Sequence, residues 1–122
     1  MRLTQDSTSG INVIRAYAAG DIRVNEQAYA GALLVSAQEL QSVPELRTPA
    51  DLGPVLAQRV IAMQAEIVLL GTGIKQVFPD AAFGAHFLRA GIGFEVMNTG
   101  AACRTFNVLV AEQRSVVAIL LP

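Results

Sequence analysis

The sequence predicts an α/β fold with a mainly parallel central sheet and additional β structure at the N-terminal end. Three observations carry that expectation. Residues 66–121 alternate strand, helix, strand, helix, strand with short connections, and parallel neighbours need such crossovers. The first third is rich in short apolar runs separated by turn residues, as a hairpin or meander would be. Finally, 52% of the 122 residues are hydrophobic and 16% charged, which suits a single domain, 1–122, with a well-filled core.

Along the chain, residues 1–10 (MRLTQDSTSG) are polar and are expected to form a flexible end. INVIRAYA (11–18) alternates as a strand does, Gly20-Asp21 marks a turn before IRVNEQAY, and Gly31 precedes the apolar strand ALLVSA (32–37). The period then lengthens. Thr48, Pro49 and Asp51 are N-cap, first-position and first-turn residues, with Gly53-Pro54 delaying regular helix. Leu52, Val55, Leu56, Val60 and Met63 form an apolar stripe that only Arg59 interrupts. EIVLLG (66–71) is a short buried strand, and residues 79–91 a helix closed by Gly91. IGFEVM (92–97) is a strand, 99–112 a helix and SVVAILL (115–121) the last strand.

The formal net charge is −1 with scattered basic residues, so no field invites nucleic acid. One cysteine forms no internal disulfide, which fits a reducing compartment. No signal-peptide core opens the chain and no apolar run is long enough for membrane insertion as a helix, so a soluble, cytoplasmic protein is expected. With one Cys and one His, neither a metal set nor a cofactor is expected. So apolar a chain admits a homo-oligomer.

Candidate site residues gather where two strands end. In open α/β sheets, ligands sit beyond the C-terminal ends of parallel strands. The Gly71-Thr72-Gly73 loop and the 98–104 turn, with Asn98 and Thr99, share that edge and would bound one cleft. The glycines would let amides approach an anion; as a phosphate loop the match lacks a third glycine and a Gly-Lys-Ser or Gly-Lys-Thr. A turn needing positive φ is the stronger reading of them. Glu95 interrupts an apolar strand. Parallel strands are covered on both faces, which predicts a partly buried carboxylate paired with Arg104 on the following helix. Cys103, in the first turns of that helix beside Arg104, has a thiol the dipole would acidify. Its only candidate base, His86, lies in another helix, so a small core residue is the stronger reading. Thr105 and Asn107 would add polar groups near the glycine loop, or satisfy local backbone. Arg104 could hold an anionic small molecule there.

VLLGTG (68–73) and GFEVMNTGAACRTFNVLVAEQRSVVAILLP (93–122) together resemble a family of small domains of unknown function. Its members include mitochondrial respiratory complex I assembly factor 3 and the adipogenesis-associated domain protein. The matching positions are Gly71, Thr72, Gly73, Glu95, Met97, Thr99, Ala101, Ala102, Cys103, Arg104, Thr105, Asn107, Glu112 and Arg114. Asn98 stands where the family usually has Asp, and Phe106 where it has Tyr. The resemblance implies a three-layer α/β/α arrangement around a mixed sheet with additional β structure. It brings no established enzyme activity, and implies a role in assembling larger complexes. Two functions are expected: a non-enzymatic interaction protein with an unknown protein partner, or a small-molecule (anionic ligand) binding domain or enzyme using the cleft between the Gly71-Thr72-Gly73 loop and the 98–104 turn.

Overall fold

The computed structural model describes residues 10–122; the expected flexible end, apart from Gly10, lies outside the described residues. Five consecutive buried residues, Val116–Leu120, form strand β8 at the middle of a five-stranded sheet. A central strand is covered on both faces, which is why its sequence has no polar alternation. On one side β8 pairs in parallel with β6 (Ile67–Gly71), which pairs in parallel with β7 (Gly93–Met97) at the sheet edge. On the other side β4 (Leu33–Ser36) runs antiparallel to β8, and β5 (Leu40–Ser42) forms the second edge. The sheet is thus mixed, with the order β5-β4-β8-β6-β7.

Helices cover both faces. A 3-10 turn (Pro49–Asp51) and helix α1 (Pro54–Ile61) lie on one face with α2 (Ala81–Arg89), burying Leu56, Val60, Phe83 and Phe87 against Leu34, Val68, Leu70 and Ile119. Helix α3 (Thr99–Ala111) lies on the opposite face and buries Ala102, Cys103 and Phe106 against Leu33, Leu69, Ala118 and Leu120. Proline at the first position of α1 and Asp80 accepting from the Ala82 amide at the start of α2 fix where these helices begin. Within the predicted stripe of α1, Val55 turns to solvent. The three layers expected of the fold are present.

The N-terminal residues form a second, antiparallel sheet of β1 (Ile14–Ala18), β2 (Asp21–Val24) and β3 (Gln27–Tyr29). It packs beside α3, sharing a core of Ile14, Ile22 and Val24 with Phe106. The run 22–29 therefore divides into two strands, turned at Asn25, which has φ 53°. Asparagine tolerates the left-handed region through its short polar side chain.

Candidate functional site

Consecutive crossovers leave β6 and β7 toward opposite faces, α2 on one and α3 on the other. The gap between the C-terminal ends of these strands is therefore the topological switch point, where open sheets hold ligands. Here the two chain segments bond to each other across it. The Thr72 amide donates to the Met97 carbonyl at 2.9 Å and the Thr99 amide to the Gly73 carbonyl at 2.8 Å.

Two hydroxyls complete the junction. Thr99 is 0% exposed; its hydroxyl accepts from the Gly73 amide at 2.7 Å and donates to the Leu121 carbonyl at 2.7 Å. One side chain thus ties the ends of β6, α3 and β8 together. The Thr72 hydroxyl donates to the Lys75 carbonyl at 2.6 Å and accepts from the Val77 amide at 3.0 Å, which shapes the loop that follows. Each glycine has its own reason. A Cβ on Gly71 would stand 2.8 Å from Thr99 Cα and 3.1 Å from Ala102 Cβ, so α3 reaches the sheet only because position 71 has no side chain. Gly73 has φ 99°, in the region that favours glycine.

The α3 N-terminus is also occupied: Asn98 Oδ1 accepts from the Ala101 amide at 2.8 Å. An N-cap needs an acceptor, not a charge, so Asn serves here. Asn107 points away from the glycine loop. Its amide accepts from Ile14 N at 2.9 Å and donates to Ile14 O at 2.8 Å, as a neighbouring strand would, and so binds β1 to α3. Thr105 is half-buried on the same helix.

Three expectations need correction. Glu95 is exposed rather than buried, because β7 is an edge strand and α3 covers β8 and β6 instead. Arg104 is exposed as well, near Gly100, and forms no salt bridge with Glu95 among the described residues. Among the described residues an ion pair joins Arg114 Nε to Glu66 Oε1 at 2.8 Å, where Glu66 also accepts from the Ser115 amide and so holds the starts of β6 and β8 together. The Arg114 hydrogen bond and then the Ser115 amide hold the Glu66 carboxyl below its ordinary range.

Cys103 is buried, and that burial pushes its thiol up to about 11, against a smaller lowering by Arg104. Desolvation outweighs helix dipole and neighbouring cation, which removes the thiolate needed for nucleophilic work. His86, on α2, stands on the other side of the sheet from Cys103. Facing Cys103 is Tyr17, whose hydroxyl is shut from solvent and has no hydrogen-bond partner among the described residues. Burial raises its pKa first and Cys103 second. Thr99 lowers it by proximity, but no hydrogen bond of acceptable geometry joins the two hydroxyls. Among the described residues, no three His, Cys, Asp or Glu side chains gather as metal ligands.

The sequence reading missed what lies beside this junction. The loop between β6 and α2 exposes Ile74 by 69%, Val77 by 47% and Phe78 by 71%. It runs next to the outer edge of β7, where a groove of about 540 Å³ is lined by Phe78, Asp80, Gly84, Phe94, Glu95 and Val96 among others. Three large apolar residues within five positions of a loop were the available signal.

The fold recurs in proteins of known structure. A Bordetella parapertussis protein of known crystal structure is 36% identical, covering 93% of this chain and 97% of its own, with a TM-score of 0.85. The "13 kDa major membrane protein" of Francisella tularensis subsp. holarctica is 28% identical over 122 residues, 99% of each chain. The Danio rerio NADH dehydrogenase [ubiquinone] 1 alpha subcomplex assembly factor 3 is 39% identical over 59 residues, which are 48% of this chain and 34% of that protein. No helix among the described residues is long and apolar enough to cross a membrane. A family model matches residues 14–121, and the chain belongs to the family described as Protein of unknown function (DUF498/DUF598).

Proposed function

We propose that the chain is a non-enzymatic interaction protein, resembling a complex assembly factor, that binds a protein partner along the outer edge of β7 and the 74–78 loop. The observation that carries this reading is the exposed apolar set Ile74, Val77 and Phe78 beside an open strand edge. Exposed apolar clusters next to a polar rim are what partner surfaces offer. The relative named as an assembly factor supports the same reading, since its matched stretch is about half of this chain. The high thiol pKa of Cys103 weighs against covalent catalysis.

The alternative is an anionic small molecule bound, or turned over, between Gly71-Thr72-Gly73 and the 98–104 turn. It gains no support from the hydrogen bonds. The Gly73 and Ala101 amides that would receive an anion already bond to Thr99 and Asn98. A thermal-shift screen in which an anionic metabolite raises the Tm of the wild type but not of Arg104→Ala would restore it. Cytoplasmic location is part of the proposal, and recovery in the membrane fraction would overturn that part.

The deciding experiment is affinity purification with crosslinking at native expression, comparing the wild type with Phe78→Ser. A partner enriched with the wild type and lost with Phe78→Ser is the expected result. The same partners captured by both would remove this surface from the proposal.

A further inference from the structure

We infer that the outer edge of β7 accepts an extended segment of a protein partner as an added antiparallel strand, with a lysine or arginine opposite Glu95 and apolar residues on either side of it. The inference rests on the reading above of the chain as an interaction protein, and names the chemistry of the segment it takes.

The backbone sets the register. Gly93 N donates to Glu66 O, and Met97 O accepts from Thr72 N. Residues 93, 95 and 97 therefore turn their peptide groups inward to β6, and those of Phe94 and Val96 face outward. One outward group is already in use: Val96 O accepts from the Gln76 side chain at 2.9 Å. Gln76 is exposed, so an incoming N–H can replace that amide without leaving it buried. An antiparallel strand would form hydrogen-bonded pairs at Phe94 and Val96, with a closer, non-hydrogen-bonded pair at Glu95.

Side chains then set the chemistry. Phe94 and Val96 pack on the α2 face, where Phe94 stacks on Phe87 with ring centroids 5.1 Å apart. Gly84 keeps the helix low there, since a Cβ would come within 3.0 Å of the Phe94 ring. Partner residues opposite 94 and 96 would drop into this groove beside Phe78 and meet apolar walls. The residue between them points to the other face and meets the Glu95 carboxylate.

Charge also decides between a foreign strand and a second copy. If two copies paired by their β7 edges about a two-fold axis at residue 95, the two Glu95 side chains would face each other with Cα atoms about 4.5 Å apart. Like charges directly opposite are destabilising, whereas opposite charges stabilise. Glu95 with Asp80 on the groove wall therefore disfavours the homodimer and favours a basic strand, one of the ways an edge is kept from self-pairing.

The test is an NMR titration of the full chain with the peptide acetyl-Gly-Ser-Val-Lys-Val-Ser-Gly-amide and its counterpart with Glu in place of Lys. The expected result is that the Lys peptide shifts the amides of Phe94 and Val96 and binds about fivefold more tightly than the Glu peptide. In Glu95→Lys that preference reverses. Equal affinity for both peptides, shifts confined elsewhere, or no binding up to millimolar concentration would overturn the added strand. Concentration-dependent broadening without peptide would overturn it in favour of a second copy. Failure here with a partner still lost from Phe78→Ser leaves the interaction reading standing and removes only the strand mode. If no partner is captured either, both fall.

Discussion

β7 takes part in two contrasting regions. At its C-terminal end the chain is closed on itself: the Thr72 amide and the Thr99 amide and hydroxyl pair with backbone across the switch point, Asn98 caps α3, and Gly71 brings α3 against the sheet. Along its outer side, peptide groups, Glu95 and the apolar residues of the 74–78 loop face solvent. The first region holds the residues that look most like a motif, and the second holds those that look least like one. A Gly-Thr-Gly turn followed by a polar helix start can thus be demanded by the close meeting of three chain segments. A surface for a partner leaves only misplaced hydrophobes. Mutations should accordingly act on stability in the first region and on binding in the second.

The largest effect expected is at Gly71. Alanine there meets the Thr99 backbone, which cannot rotate away, so Gly71→Ala should cost about 3 kcal/mol in urea denaturation. A variant within about 1 kcal/mol of the wild type would mean that α3 is not held so close. Next is Thr99→Val, which keeps shape but leaves Gly73 N and Leu121 O unpaired in the interior, at about 2 kcal/mol. Thr99→Ser keeps the hydroxyl and should recover most of that loss. If Val is tolerated while Ser is destabilised, methyl packing rather than the hydroxyl holds the junction.

A smaller effect should appear at alkaline pH. The folded-state pKa of Cys103 is raised, so its contribution is full below the ordinary value of 9.0 and is lost as pH rises through about 11. Tyr17, raised from 10.0, acts in the same direction as pH rises above that value. Cys103→Ala should therefore flatten the alkaline fall in stability while leaving the Tyr17 share. At pH 8 the folded thiol should alkylate roughly 100-fold more slowly than the denatured chain, the ratio that two pKa units imply. Comparable rates would show Cys103 to be an accessible thiol.

How much of this was legible follows from what each residue depends on. Buried parallel strands are unbroken apolar runs, so 66–71 and 115–121 could be read directly, 92–97 could be read from the apolar residues around Glu95, and the helices between them from their period. The strand Leu40–Ser42 was missed because it is three residues long and only Leu40 of the three is apolar. The division of 22–29 was missed because the turn is Asn25-Glu26 rather than Asn-Gly. The burial of Glu95 was misjudged for a deeper reason. Alternation says which face a residue points to, but only strand order says whether anything covers it, and edge positions are set by pairings distant in sequence. Asn107 makes the same point, since its partner Ile14 is 93 positions away.

The smallest expected effect is the one that separates the two regions most cleanly. Phe78→Ser removes a ring that is mostly in water, so unfolding free energy should change by less than about 0.5 kcal/mol. The same substitution is expected to abolish partner capture. A large loss of stability would instead mean that the 74–78 loop packs on the fold in solution, and the contrast between a closed junction and an open edge would fail. If stability is unchanged and capture is lost, the exposed ring serves an interface rather than the core. The Thr72 hydrogen bonds at the closed junction then hold the loop that presents it.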